Sequence, residues 1–94
     1  MNVSVQERSD RRRYEVYADD IPAGVLSYRL SGDRLCLLHT EVESPYQGNG
    51  LESVLVRHVL DEARANRRTV VAYCPYVRGW LDNHTEYADL VALD

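Results

Sequence analysis

Gln47-Gly48-Asn49-Gly50 stands between an alternating stretch that ends in Val42 and a run of helical period that opens at Leu51. Glycine lets a backbone come close to a ligand. The N–H groups of residues 48 to 53, at the mouth of a helix, have no intrahelical partner, so this turn has the chemistry of a phosphate site. A tight strand-to-helix turn explains the same residues equally well, because a single G-x-G is weakly specific. Farther along, Cys74 precedes Pro75 at an expected helix start, where the dipole lowers a thiol's pKa and favours the thiolate. The competing reading is a buried structural cysteine. His39 and Glu41, two residues apart on one strand, are both types that can take or hold a proton. Cys36, bracketed by Leu35 and Leu37, reads as core. His39, His58, His84 and Cys74 have no metal-ligand spacing, so no metal site is expected.

Chemistry of this kind needs a folded support, and 94 residues suffice for one hydrophobic core, hence a single domain over 1–94. Apolar residues make up 45% and charged residues 28%, an ordinary balance for a globular protein. The net charge is −4 and all 11 basic residues are Arg. The cluster Arg11-Arg12-Arg13 is diluted by Glu7, Asp10 and Glu15, so a nucleic-acid partner is disfavoured. Two cysteines are too few for a disulfide framework, which suits a reduced, cytoplasmic setting. No apolar stretch approaches the ~18 residues of a membrane span, and the first residues lack a signal core, so neither a membrane partner nor secretion is expected.

The elements that must position these residues are legible from period. Residues 1–12 read as a short edge strand or a loose lead-in. Tyr14, Val16 and Ala18 alternate as a strand, Asp19 to Pro22 turn, and Gly24 to Leu30 alternate as a second strand ending at Ser31-Gly32-Asp33. A third strand spans Arg34 to Val42, with Leu35, Leu37, His39 and Glu41 on one face and Cys36, Leu38, Thr40 and Val42 on the other. Its first half is apolar on both faces and belongs inside the sheet. Leu51, Val54, Leu55, His58, Val59 and Ala63 recur at helical spacing over about 50 to 66. Thr69 to Tyr73 form a β-branched strand, parallel to the third because a helical crossover joins them. A second helix opens at Pro75 with Tyr76, Val77, Trp80, Leu81 and His84 on one stripe. Residues 86–94 add one more turn or a short docking segment.

A strand meander followed by strand, Q-G-N-G turn, helix and parallel strand resembles the core of the GNAT acetyltransferase superfamily, an α+β (α/β) architecture with a C-terminal helix. The relevant pattern is Q/R-x-x-G-x-G/A, which Gln47, Gly48, Asn49, Gly50 and Leu51 fit after Val42. The segments H-T-E-V at 39–42 and Y-C-P-Y-V at 73–77, with E-Y-A-D-L-V at the end, are similar to the short single-domain GNAT-like N-acetyltransferases over residues 14 to 91. The resemblance implies an acetyl-CoA-dependent N-acetyltransferase acting on an amine, a small molecule or a protein tail. It places the pyrophosphate of acetyl-CoA on Val42, Gln47, Gly48, Asn49, Gly50, Leu51, Glu52 and Ser53, and the pantetheine arm between the third strand and the 69–73 strand.

Two positions depart from that pattern. Glu52 stands where Gly or Ala is usual, putting a carboxylate beside the expected pyrophosphate. Between the first two strands of the meander there is only a turn, where larger members carry two helices that wall the acceptor site. The acceptor side is therefore either open or completed by another subunit, as in a homodimer. Acetyl transfer needs a base, a polarised thioester and an acid for the leaving thiolate. Glu41 or His39 can serve as the base, Cys74 as a nucleophile or a neighbour of the thioester, and Tyr76 as the acid, by likeness to the tyrosine after this strand in many such enzymes. Tyr76 has a packing role as its alternative. The contrasting function, motivated by Glu52 and the missing helices, is a non-catalytic CoA-binding or protein-interaction module.

Overall fold

The structure, a computed structural model, describes residues 1–92. Five strands, β1 (Val3–Arg8), β2 (Arg13–Ala18), β3 (Ile21–Ser31), β4 (Arg34–Val42) and β5 (Thr69–Ala72), form one sheet in sequence order. The first four are antiparallel neighbours, and β5 runs parallel to β4 after the crossover helix α1 (Leu51–Ala65). Helix α2 (Pro75–Asp82) follows β5. Residues 1–12 thus contain an edge strand, and β4 lies inside the sheet as its two-faced apolar half requires.

Local chemistry explains the connections. The β2–β3 turn is shorter than the sequence implies: only Asp19 and Asp20 lie in it, both with positive φ (49° and 68°), and Ile21 and Pro22 already belong to β3. Positive φ at both central residues matches the right-handed twist of a two-residue hairpin, and Asp tolerates that region better than most residues. Asn66 caps α1 at its C-terminal end.

One face of the sheet is covered. Tyr14, Val16, Leu26, Leu35, Leu37 and Val70 pack in one cluster with Leu51, Leu55, Val56, Val59, Leu60 and Ala63 of α1. The α1 stripe differs in two places from its periodic reading. Val54 is exposed and His58 is half-buried, bonded to Glu62, while Val56 and Leu60 take the core positions. In α2, Val77 and Trp80 face the core and Tyr76 does not. The 3-10 segment Thr85–Leu90 then docks Tyr87 and Leu90, and Val91 forms a parallel bridge to Val70. Of the expected docking segment, residues 93 and 94 lie outside the described residues.

The largest correction concerns β4. Its pairing with β3 moves from Ser27↔His39 to Tyr28↔Leu37, so Leu38 is an extra, unpaired residue. Such a bulge reverses the alternation beyond it. Leu35 and Leu37 therefore share their face with Thr40 and Val42, whereas His39 and Glu41 join Cys36 on the opposite face, which no helix covers among the described residues.

Candidate functional site

The turn before α1 is built by its glycines. After the 3-10 turn Ser44–Tyr46, Gly48 and Gly50 adopt left-handed backbones with φ of +86° and +77°. Glycine reaches that region without the penalty a Cβ brings. A Cβ at either position would meet nothing within 4 Å, so the space above the turn is open. Gly50 is the N-cap of α1 and offers no side-chain cap. The first intrahelical bond runs from the Val54 N–H to the Gly50 carbonyl at 3.2 Å, leaving the N–H groups of Leu51, Glu52 and Ser53 at the positive end of the helix. Gln47 anchors the turn rather than facing the opening, since its Nε2 donates to the Val42 carbonyl at 3.2 Å. This bond ties the end of β4 to the mouth of α1. Leu51 is buried in the core, so only its backbone can serve the opening.

Beside this turn the sheet splays. Parallel pairing of β4 with β5 runs from Arg34↔Thr69 to Leu37↔Ala72 and stops. The N–H groups of Tyr73 and Cys74 both converge on the Leu37 carbonyl, at 2.9 and 3.1 Å, as the chain turns into α2. Beyond Leu37, no strand among the described residues pairs with that side of β4.

Cys74 stands at the apex of the wedge as the N-cap of α2, 4% exposed, with its Sγ 3.4 Å from Thr40 Oγ1. Burial pushes the thiol's pKa up, but the Thr40 hydroxyl and the N–H groups of Val77 and Tyr76 together outweigh it, and the net shift is down. Thr40 is a residue that sequence reading left in the strand. Only the Leu38 bulge turns it toward the thiol, and a bulge has no signature in the strand pattern here. Cys36 lies on the uncovered face at mid-strand, buried, with Arg29 at 3.8 Å from its sulfur.

The remaining candidates are spread out. His39 Nε2 and Glu41 Oε2 are 3.6 Å apart, but their side chains are 66% and 69% exposed and lie on the face away from Thr40. Tyr76 is 38% exposed on the outer side of α2. Its hydroxyl is held above the ordinary phenol range by partial burial and then by the charge of Glu52. Glu52, half-buried in the first turn of α1, is thus near enough for its charge to reach the Tyr76 hydroxyl. Ser53 accepts a hydrogen bond from Trp80 Nε1 at 2.8 Å, clamping α2 to the start of α1. The structure thus brings together the 47–53 turn, Thr40, Cys74 and α2, and keeps His39 and Glu41 on the other side of the wedge. Among the described residues no group of three or more His, Cys, Asp or Glu could hold a metal ion.

A family model for the GCN5-related N-acetyl-transferase matches residues 13–90. The chain belongs to this family. No curated protein matches it in sequence. Among solved structures, the family fold recurs in a GCN5-like protein of Staphylococcus aureus, with a TM-score of 0.70 at 20% identity over 99% of this chain and 92% of that one. The ribosomal-protein-alanine N-acetyltransferase of Brucella melitensis biovar Abortus 2308 gives 0.62 at 18% identity over 87% of this chain. The Escherichia coli enzyme that acetylates an alanine of a ribosomal protein gives 0.60 at 16% over 73%. This chain spans only 62% and 63% of those two larger enzymes. At such identities the likeness is one of fold.

Proposed function

We propose that the protein is an acetyl-CoA-dependent N-acetyltransferase that moves an acetyl group to an amine. The observation that carries this reading is the Gly48/Gly50 turn: left-handed, open above, at an uncapped helix start, and directly beside the splayed end of β4 and β5. These residues fit an anion of pyrophosphate size, which needs converging N–H groups and no Cβ in the way. When bound, acetyl-CoA supplies an activated acetyl group and the phosphates that anchor it. The chain's part is to hold and orient it. The N–H groups of Gly48, Gly50, Leu51, Glu52 and Ser53 would hold the phosphates, that of Asn49 being bonded to the Tyr46 carbonyl at 3.4 Å, and the side of β4 beyond Leu37 would offer backbone partners in the wedge. Cys74 and Thr40 bound its apex. Tyr76, kept protonated by burial and by Glu52, is suited to donate a proton to a leaving thiolate and not to act as a base. His39 and Glu41, exposed on the uncovered face, are placed to take the proton of an amine arriving from that side.

The acceptor in this reading is a small amine or a protein tail, because the first two strands, β1 and β2, are separated only by the 3-10 turn Ser9–Arg11 and Arg12, and among the described residues no helix longer than that turn stands between them. A second subunit of a homodimer would supply the missing wall. We take residues 1–94 as one working domain, in the cytoplasm. The alternative, a CoA-binding or interaction module without turnover, draws support from Glu52 at the mouth of the turn.

Calorimetric titration with acetyl-CoA tests the cradle. Gly50→Asp places a carboxylate in the open space and is expected to abolish binding. Gly50→Asn, which tolerates positive φ and carries no charge, should bind at least ten times better than the Asp variant. Equal affinities in wild type and a folded Gly50→Asp variant would remove the assignment. Mass detection of acetylated amines then separates enzyme from module.

A further inference from the structure

The end of the molecule opposite the glycine turn carries a cavity that acetyl transfer does not use. Its volume is about 530 Å³, and it opens where the β1–β2 connection, the end of β3 and the residues between α1 and β5 meet. The fifteen residues of α1 separate it from the turn, roughly 22 Å at 1.5 Å per residue. Three arginines from these three segments line it: Arg12, Arg29 and Arg68. The chain has 15 acids against 11 arginines, so carboxylates are not scarce. Arg8, Arg13, Arg57 and Arg64 each pair with one. Among the described residues no carboxylate pairs with the three that line the cavity. Arg29 has only the Cys36 sulfur, 3.8 Å from its Nη2. Glu7, the single acid in the wall, accepts the Tyr28 hydroxyl.

Local structure does not account for this grouping. Arg12 caps the 3-10 turn with a φ of 53°, a left-handed backbone that Gly, Asn or Asp adopts more readily. The C-terminal end of α1 attracts a cation, which explains Arg68 but neither Arg12 nor Arg29. The edge of β3 adds a donor to the same wall. The Tyr28 N–H bonds the Arg12 carbonyl at 3.0 Å, so the Leu30 N–H, two residues on, points to the same side, past the first residue of β2, where no strand pairs with it among the described residues. We propose that this cavity binds a small molecule carrying a phosphate monoester, its oxygens held by Arg12, Arg29, Arg68 and the Leu30 N–H and its body laid against Leu30 and Tyr28. Guanidinium forks match phosphate oxygens two at a time. Three guanidinium charges against the one carboxylate of Glu7 suit a group of about −1.5 to −2 better than a single carboxylate. Leu30, 43% exposed, gives an apolar body something to cover. The occupant is a second ligand, and the site stands or falls independently of the acetyl-CoA reading.

Calorimetric titration in phosphate-free buffer at fixed salt, with phenyl phosphate, benzoate and inorganic phosphate as probes, tests the site. Phenyl phosphate should bind about tenfold or more tightly than either of the others, because it alone offers both the dianion and a ring. Arg12→Asn suits the left-handed backbone, and Arg68→Gln keeps a polar side chain. Both variants should hold the wild-type Tm within a few degrees and lose phenyl phosphate by about tenfold, the scale of one charge-assisted hydrogen bond. Arg11→Gln removes the same charge just outside the cavity and should bind as the wild type does. So should Gly50→Asp, whose glycine turn is closed to phosphates. No heat with millimolar phenyl phosphate in the wild type overturns the proposal, as does benzoate or inorganic phosphate binding equally well. An equal loss in Arg11→Gln would reduce the effect to net charge, and a loss in Gly50→Asp would place the probe on the glycine turn; either overturns the site.

Discussion

At the residue scale the two cysteines differ in their surroundings and not in their burial. Both are buried, so access alone does not choose between them. Cys74 differs in facing the Thr40 hydroxyl and the N–H groups at the start of α2, which outweigh burial and hold its pKa below the ordinary thiol value. Brief alkylation followed by peptide mapping should therefore modify Cys74 before Cys36. Its rate should rise with pH through a midpoint below that of an ordinary thiol, and bound CoA should shield it. Reaction at Cys36 first would contradict this. In Cys74→Ser the size is kept and the nucleophile is lost; full acetyl transfer by that variant would make Cys74 a wall of the wedge. Glu52 is the other residue with a distinctive expectation. Removing its charge from the mouth of the turn should tighten acetyl-CoA about two- to fivefold in Glu52→Ala, more at low salt. The lost helix contact costs only ~0.3–1 kcal/mol, and Ala is the best helix former. Weaker binding by Glu52→Ala would mean that the carboxylate assists the ligand.

At the element scale, period and turn chemistry located β2 to β5 and both helices, and left residues 1–12, which hold β1, open between an edge strand and a loose lead-in. Residues 14–18, 34–42 and 69–72 alternate or run apolar as strands do, and Leu51, Leu55, Val59 and Ala63 mark the buried stripe of α1. The face assignment within β4 was not legible, because a one-residue bulge at Leu38 leaves the composition unchanged and reverses everything after it. For the same reason the site read as a set came apart: Thr40 entered it, and His39 and Glu41 moved to the uncovered face. Another feature of that face is a polar cluster along β2, made by alternate residues of the one strand. Glu15, 5% exposed, accepts from the Tyr17 hydroxyl at 2.5 Å and from Arg13 Nε at 2.8 Å. The Tyr17 bond is the largest influence and, with Arg13, outweighs burial, so the carboxyl pKa is lowered. A depressed carboxyl stabilises the fold above its unfolded value of about 4.3, and that contribution is lost as pH falls through the folded value. Glu15→Gln should lower Tm at pH 7 by several degrees, on the order of 1 kcal/mol. The gap from wild type should narrow below pH 4. A constant gap across that range would show that the charge is not what stabilises.

At the scale of the whole molecule, one hydrophobic cluster joins four strands of the sheet, α1, α2 and the 3-10 segment, while among the described residues no helix packs on the opposite face of the sheet. Both ends of the cluster meet the proposed site. Leu51 opens α1 inside it, and Cys74 and Val77 close the wedge from α2. A ligand that spans the turn, the wedge and α2 therefore bridges elements that must separate when the chain unfolds. Because it binds the folded state only, it raises stability by about 2.7 kcal/mol at one hundred times its Kd. For a chain of this size each kcal/mol moves Tm by roughly 4–8 °C. Thermal unfolding with saturating acetyl-CoA should then shift upward by roughly ten degrees or more. The same shift should survive in Cys74→Ser, whose side chain is nearly the same size, and vanish in Gly50→Asp, whose cradle is charged. Absence of any shift at millimolar acetyl-CoA in the wild type would favour the interaction-module reading. A shift of equal size in Gly50→Asp would mean that the ligand enters elsewhere on the sheet. The comparison works at this scale because the turn, the wedge and the core are continuous, so occupancy at the turn is read by the stability of the whole chain.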